Sequence, residues 1–382
     1  MSAIGDVIHT LPALCALRRQ YPEARITWLV EEAASGIIAG HPAIDRILVS
    51  RRKSWISALR KGPDRTAALR EAAAFTDELR SEAYDLVLDF QQLFKSAVMV
   101  ALSRGRIKAG FDRGLAHMEE SHRALNVRVR PPSMEIHALD RYLDLVRAMG
   151  VPVSGVEYGL PESPDARQTA ADQLRAGGWN GHPLIALNPV AMWETKCWSD
   201  EGFARVADAL HRRFGVQTVW TGGPADRDRV EAICGRMREP SINLAGRTTL
   251  SELAALYRAC RCLVTTDTGP MHLAAAVGTP VAAVFGPTAP WRTGPYGPGH
   301  WIVRGTAPCS PCFKRKCRHK DHPCMRSITP DAVLSAVARI TGRKGALSSP
   351  VQHDFSFTCR DGLDKQETRI LPMGVIADQC YK

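Results

Sequence analysis

The stretch that decides the fold runs from residue 262 to residue 276 and reads Cys-Leu-Val-Thr-Thr-Asp-Thr-Gly-Pro-Met-His-Leu-Ala-Ala-Ala. An apolar strand ends at Asp267, Thr268 has the position of a helix N-cap, and Pro270 lies in the first helical turn. The start of a helix at the carboxyl end of a strand offers free N–H groups and a positive dipole end to an anion. The pattern therefore predicts an α/β unit with an anion site at its strand-to-helix turn.

Other residues near strand ends have chemistry suited to a diphosphate. Gly269 allows close approach to the backbone and His272 can donate, although a well-capped helix with His272 on its face explains the same pattern. Lys196 follows the first strand of the second half, where it is either a phosphate ligand or a solvated surface lysine. Gly222 and Gly223 follow the next strand, where they make either a ligand loop or a simple tight turn.

Short apolar strands alternate with helical patterns along most of the chain, which predicts parallel sheets covered on both faces. A stretch rich in proline and glycine, 150–182, predicts a domain boundary. Helices are predicted at 7–20, 64–82, 200–213, 225–237, 250–259 and 269–277. The predicted strands are Arg25–Glu31, Arg46–Ser50, Asp85–Phe90, Leu184–Asn188, Val216–Thr221, Ile242–Ala245, Cys262–Asp267 and Val281–Phe285.

Composition excludes several classes of protein. The chain has 382 residues, of which 45% are hydrophobic and 23% charged, so it is neither disordered nor collagen-like nor a small disulfide scaffold. Its net charge of +11 favours acidic partners, namely nucleic acid, anionic lipid or phosphorylated small molecules. No membrane span or signal peptide is recognisable, which predicts a cytoplasmic protein.

Polar groups also gather in the first half. Asp6 stands near the start of the first helix, where the dipole favours a carboxylate. A basic run, Arg51, Arg52 and Lys53, follows the second strand, and Gln91 and Lys95 follow the third. These residues form either a solvated face or a patch for an anionic acceptor.

Four of the eleven cysteines form a group in a basic segment: Cys309, Cys312, Cys317 and Cys324. Four thiolates in this span can hold Zn²⁺. The 2-4-6 spacing is not that of a paired zinc knuckle, so a structural or redox-labile thiol cluster is the favoured interpretation. Neither alternative makes the group catalytic, and the surrounding basic residues are suited to anionic lipid.

Several stretches together resemble glycosyltransferase family 9, the lipopolysaccharide heptosyltransferases. They are SAIGDVIHTLPAL (2–14), TWLVEE (27–32), HPAID (41–45), DFQQLFKSA (89–97), ETKCWS (194–199), TTDTGPMHLAAAVGTPVAAVFGPT (265–288) and PWRTGPYG (290–297). The similarity covers nearly all of residues 1–342. It is closest to heptosyltransferase I, whereas the cysteine segment resembles that of heptosyltransferase II.

The resemblance implies a GT-B fold, in which two Rossmann-like domains face each other across a cleft. It implies an acceptor domain at 1–155, a sugar-nucleotide domain at 156–343, and a tail at 344–382 that is not part of the family and is expected to be poorly ordered. In the family a strand precedes the loop that carries Asp6. We therefore expect the N-terminal sheet to lack its first strand.

The resemblance also implies the chemistry: inverting transfer of heptose from ADP-L-glycero-D-manno-heptose to Kdo-lipid A, or to that core bearing one heptose, without a required metal. Asp6 would be the general base. The acceptor would be bound by Arg51, Arg52, Lys53, Gln91 and Lys95. The donor would be bound by Ala191, Met192, Lys196, Gly222, Gly223, Thr248, Asp267, Thr268, Gly269 and His272.

The implied location is the cytoplasmic face of the inner membrane, against its anionic surface. Two alternatives remain open. One is another GT-B sugar-nucleotide enzyme, such as a different glycosyltransferase or an epimerase. The other is a nucleic-acid-binding protein with a cysteine zinc module; the small number of aromatic residues, not interleaved with the basic runs, counts against it and against nucleic acid as a partner.

Overall fold

A computed structural model of the protein describes residues 3–62, 64–115 and 119–342. The tail expected at 344–382 lies outside the described residues. Parallel strands alternate with helices throughout the described ranges. None of the helices in those ranges is long and apolar enough to pass through a bilayer.

The first half carries two separate parallel sheets, with strand orders β1-β2 and β3-β4-β5. The strands are β1 (Thr27–Glu31), β2 (Arg46–Ser50), β3 (Ala83–Asp89), β4 (Arg104–Phe111) and β5 (Val127–Val129). The helices are α1 (Ile4–Gln20), α2 (Glu32–Ile38), α3 (Arg52–Lys61), α4 (Arg65–Arg80), α5 (Phe94–Leu102) and α6 (Ala138–Ala148).

The second half is built on one six-stranded parallel sheet, with strand order β11-β10-β9-β6-β7-β8. The strands are β6 (Leu184–Asn188), β7 (Gln217–Trp220), β8 (Ser241–Asn243), β9 (Cys262–Thr266), β10 (Val281–Phe285) and β11 (Trp301–Arg304). The helices are α7 (Pro164–Ala176), α8 (Asp200–Phe214), α9 (Arg227–Cys234), α10 (Leu250–Ala259), α11 (Gly269–Ala276), α12 (Pro290–Thr293), α13 (Pro323–Arg326) and α14 (Pro330–Ile340).

The predicted α/β class is confirmed, and β2, β6 and β10 have the bounds that the sequence predicts. The stretch 150–182 is rich in proline and glycine, but it is not irregular throughout, because α7 occupies its centre. The Ser163 side chain caps this helix by accepting from the N–H of Ala166, and Pro164 fits the first turn. Serine and proline here therefore mark the start of a helix, and the predicted domain boundary stays a prediction.

A gap separates the two sheets of the first half. Among the described residues, β1 pairs only with β2, and β3 pairs only with β4, so β1 and β3 each have one unpaired edge. A cavity of about 1020 Å³ lies between β1 and β3, and α1 contributes Thr10, Leu14 and Leu17 to its lining. One parallel strand in this gap would give the order of a doubly wound sheet, 3-2-1-4-5-6, in which the strand before α1 is the central one.

Helix α1 joins the two halves through a shared core. Val7, Ile8 and Leu11 are buried in the same hydrophobic cluster as Met271 and Leu273 of α11. The helix begins at Ile4, three residues earlier than the sequence pattern predicts, so Asp6 lies inside its first turn. This packing brings the start of α1 against the start of α11.

Candidate active site

The carboxyl ends of the central strands of the large sheet lie side by side. In the parallel register, Asn188 at the end of β6 is opposite Thr265, and Val284 of β10 is opposite Thr266. The residues that the sequence predicts for donor binding follow β6, β7, β8 and β9. They therefore lie along one edge of the sheet, where ligands bind in folds of this kind.

Lys196 is held at this edge by Asp267. Its Nζ lies 2.7 Å from Oδ2 of Asp267, and Thr288 Oγ1 donates to the same oxygen over 2.7 Å. The ammonium group also lies 4.5 Å from the centroid of the Trp193 ring, a cation–π contact. The side chain of Asp267 is 5% exposed, so the ion pair anchors Lys196 to the turn that follows β9.

The turn after β9 leads directly into α11. Thr268 is the N-cap residue in extended conformation, but its side chain accepts no capping hydrogen bond. The start of α11 is in close contact with α1: a Cβ on Gly269 would lie 2.9 Å from Cβ of Ile4, and one on Gly5 would lie 2.7 Å from Cδ2 of His272. The N-termini of α1 and α11 therefore meet so closely that only glycine fits at positions 5 and 269.

Asp6 lies beside this convergence. Burial raises the pKa of its carboxyl group, and the positive charges of Lys95 and Arg141 oppose that rise. Its backbone carbonyl accepts a hydrogen bond from Thr10 Oγ1 over 2.8 Å. A carboxylate with a raised pKa is a stronger base and is suited to take a proton from a hydroxyl group.

Three buried histidines surround the same contact. His9 Nε2 lies 3.0 Å from His272 Nδ1, and the His137 ring stands edge-on to His9 with 5.0 Å between centroids. Burial lowers the pKa of all three, in the case of His272 to about 4. All three are therefore neutral near pH 7.

The remaining residues that the sequence predicts for binding the sugar donor follow β6, β7 and β8 at this edge of the sheet. Ala191 is half-buried, whereas Met192 is 88% exposed. Gly222 and Gly223 follow β7, and the N–H of Gly223 donates to Asp226 Oδ2. Thr248 follows β8 and is half-buried.

The predicted acceptor residues converge on a carboxylate, Glu31. Its Oε1 accepts from Arg52 and Lys95 over 3.1 and 3.2 Å, and its Oε2 lies 3.6 Å from Lys53 Nζ. Burial acts to raise the pKa of Glu31, but the bonds from Arg52 and Lys95 outweigh it and lower that pKa. Arg51 pairs separately, with Glu32.

Gln91 is buried and lines the same cavity as Glu31, Arg52 and Lys95. Its N–H donates to Asp89 Oδ1, and the Asp89 carboxylate also accepts from Ser96 Oγ. The structure thus brings Arg52, Lys53 and Lys95 together around Glu31 at the end of β1, whereas Arg51 pairs elsewhere.

The model of glycosyltransferase family 9 (heptosyltransferase) matches residues 72–322. The chain belongs to this family. Lipopolysaccharide heptosyltransferase 1 of Pseudomonas aeruginosa is 32% identical over 320 residues, which cover 84% of this chain and 86% of that protein. The enzyme of the same description from Escherichia coli K12 is 27% identical over 309 residues, covering 79% and 91%.

Solved structures of similar fold are also found. The glycosyl transferase family 9 protein of Veillonella parvula has a TM-score of 0.75 at 24% identity, covering 89% of this chain and 95% of that one. Escherichia coli heptosyltransferase WaaC with ADP has a TM-score of 0.70 at 23% identity, covering 89% and 100%. The GT-B fold implied by the sequence is confirmed, and the protein is a family 9 glycosyltransferase.

The cysteine group of this family 9 chain consists of free thiols. Across residues 3–62, 64–115 and 119–342, no set of three or more His, Cys, Asp or Glu side chains is arranged to hold a metal ion. The segment is tied to the loop after β6, because Thr195 Oγ1 donates to the carbonyl of Lys314 over 2.8 Å. The thiols thus belong to a segment that supports the Lys196 loop.

Sequence reasoning missed three residues of this family 9 site. Glu31 was placed only as the end of a strand, although an acidic residue that ends an apolar run at a ligand-binding edge is a usable signal. Arg141 is 7% exposed and donates to the carbonyl of Ile136 over 3.0 Å. His9 is three residues after Asp6 and therefore shares its helix face, but its partner is 263 residues away.

Proposed function

We propose that this family 9 glycosyltransferase transfers heptose from ADP-L-glycero-D-manno-heptose to the inner core of lipopolysaccharide. The acceptor is Kdo-lipid A, or that core already bearing one heptose. The observation that carries the proposal is the contact of the two helix starts, which sets Asp6 next to the turn that carries Gly269 and His272. A base and an anion site are the two parts that a displacement at a sugar diphosphate requires.

The leaving group is stabilised from the second half of the chain. Negative charge develops on the diphosphate as its bond to the anomeric carbon breaks. Lys196, the N–H groups at the start of α11 and the His272 ring supply positive charge and donors there. These groups perform the role for which other transferases use a metal ion, so we propose that turnover needs none.

The acceptor is activated from the first half. Its hydroxyl oxygen attacks the anomeric carbon from the face opposite the diphosphate, and the proton passes to the Asp6 carboxylate. The new C–O bond forms as the bond to ADP breaks, so the anomeric configuration inverts. The cations around Glu31 carry a net positive charge toward the carboxylates and phosphates of the acceptor.

The test is transfer from ADP-heptose to Kdo-lipid A and to heptosyl-Kdo-lipid A, followed by product mass and anomeric configuration. Asp6→Asn is expected to lower turnover roughly 100- to 10,000-fold while leaving ADP binding nearly intact. Asp77→Asn, at an exposed carboxylate on α4, is the matched control. Near-normal turnover by Asp6→Asn excludes Asp6 as the base, and unchanged turnover in EDTA supports metal independence.

We further propose that the enzyme works at the cytoplasmic face of the inner membrane. Lys314, Arg315, Lys316, Arg318 and Lys320 are all exposed, next to an exposed Phe313. Each basic residue near an anionic surface contributes about 1 kcal/mol of attraction. We expect the protein to float with vesicles that contain anionic lipid, but not with vesicles of neutral lipid or at high salt. Equal flotation with both kinds of vesicle contradicts the proposal.

A further inference from the structure

The contact between His9 and His272 joins the two helices that form the site. Both rings are buried, with 3% and 7% of their surface exposed, and their centroids are 4.2 Å apart. His9 lies on α1, three residues beyond Asp6, and His272 lies in the first turn of α11. The 3.0 Å between His9 Nε2 and His272 Nδ1 is the distance of one hydrogen bond.

A single proton occupies that bond. Burial lowers the pKa of both rings, so near pH 7 each carries one N–H. In one arrangement His9 Nε2–H donates to His272 Nδ1, and the proton of His272 is on Nε2. In the other, His272 Nδ1–H donates to His9, and Nε2 of His272 is a bare acceptor.

The neighbouring histidine does not compete for this proton. Nδ1 of His137 accepts from the N–H of Leu139 over 3.1 Å, so its own proton is on Nε2, which donates to the carbonyl of Gly294 over 3.0 Å. His137 therefore contacts His9 as an edge-on ring and leaves the choice of tautomer to the His9–His272 pair.

The other ring nitrogen of His272, Nε2, lies next to the start of α1. A Cβ added to Gly5 would lie 3.2 Å from His272 Nε2, and Asp6 is the next residue. An anion held at the start of α11 accepts from an N–H and is repelled by a nitrogen lone pair. Only the arrangement in which His9 donates presents the N–H to that anion.

We infer that His9 is a positioning residue, which holds His272 as a neutral Nε2–H donor for the departing diphosphate. The inference rests on the proposed function, since it assigns the role of a residue that touches no substrate. Without a donor at position 9, His272 is free to take the Nδ1–H tautomer and to turn out of line. The diphosphate then loses one hydrogen bond at the atom where charge develops.

The experiment compares His9→Gln with His9→Leu. Glutamine keeps an N–H donor at similar reach, whereas leucine fills the space without one. His9→Leu is expected to lower kcat/KM for ADP-heptose roughly 10- to 100-fold, and His9→Gln should restore most of it. His41→Leu is the matched control, because His41 is equally buried but bonds to the carbonyl of Tyr158.

A direct readout is the ¹⁵N NMR spectrum of the His272 imidazole with ADP bound. The Nε2–H tautomer is expected in the wild type and in His9→Gln, and a mixture or the Nδ1–H tautomer in His9→Leu. A wild-type Nδ1–H tautomer overturns the inference, as does a His9→Leu protein with wild-type kcat/KM. So does equal damage by glutamine and leucine, which would indicate a merely structural role.

The two proposals fail in different ways. A wild-type protein that binds ADP but transfers no heptose to either acceptor overturns the proposed function, and the NMR result still decides the role of His9. A wild-type protein that transfers heptose while His9→Leu does so equally well overturns only the inference about His9.

Discussion

Lys196 and Asp267 form an ion pair of 2.7 Å between the loop after β6 and the turn after β9. Because Thr288 donates to the same carboxylate oxygen, the nearly buried Asp267 side chain is held from two sides and orients Lys196. A lysine already in position gives up little side-chain freedom when a diphosphate binds.

We expect Lys196→Met to lower the free energy of unfolding by about 1–3 kcal/mol, because the nearly buried Asp267 loses its cation. The double variant Lys196→Met with Asp267→Asn should regain most of that stability without regaining transfer. Urea unfolding and turnover measure the two effects separately. A double variant as unstable as the single one would show that the ion pair is not the cause.

The raised pKa of Asp6 has opposite consequences for activity and stability. The proposed role of Asp6 as base requires the deprotonated carboxylate, so the acid limb of kcat/KM is expected to lie above the ordinary aspartate range. The folded protein also holds this proton at a pH where the unfolded chain has lost it, so stability falls as the pH rises through the folded pKa.

Asp6→Asn should therefore turn over far more slowly than the wild type yet be more stable at neutral pH, with the difference in stability closing toward about pH 4. Urea midpoints between about pH 4 and pH 8 measure this. Equal midpoints for both proteins at every pH would argue against a buried carboxylate at position 6.

Gly5→Ala is expected to impair transfer and ADP binding together, because the new Cβ would lie 2.7 Å from Cδ2 of His272 and push the ring from the helix start. Displacements of this order cost up to roughly 100-fold in rate. Gly36→Ala in α2 is the matched control, since a Cβ there meets nothing closer than 3.9 Å. If both variants keep wild-type kcat/KM, the close approach at Gly5 has no catalytic role.

The gap between β1 and β3 predicts a gain in stability from one added strand. Extending the N-terminus by about seven residues rich in valine and isoleucine should pair both open edges, bury the apolar lining, and raise Tm by at least about 5 °C. The control is the same extension with two central prolines, which have no N–H to donate to a neighbouring strand. An equal Tm for both extensions would show that the gap does not accept a strand.

Local sequence was sufficient for eight of the eleven strands in the described residues and for the residues that follow them, whereas β4, β5 and β11 were not predicted. Apolar runs such as Leu184–Asn188 have the length of buried strands, and the parallel topology then places Lys196 and Asp267 at one edge. Helix α7 was missed because its caps were read as link residues. The proline and glycine that end a helix are the same residue types that mark a loop.

The contacts that complete the site were not predictable in this way. The convergence of Arg52, Lys53 and Lys95 on Glu31 joins three segments, and its geometry depends on how the strands pack. The His9–His272 bond depends on the docking of α1 against α11, which hydrophobic periodicity does not encode. Single-chain patterns report which face of a helix is buried but not which helix covers it.

The contact of Gly5 with His272 and of Gly269 with Ile4 has a consequence for how substrates enter and leave. With space only for hydrogen atoms at both crossings, the helices cannot slide past one another without a collision. We expect any opening of the cleft to be a rotation about this crossing, as about a pivot, with the outer loops travelling farthest. Asp6 and the start of α11 lie at the pivot, so their spacing should stay nearly constant through the catalytic cycle.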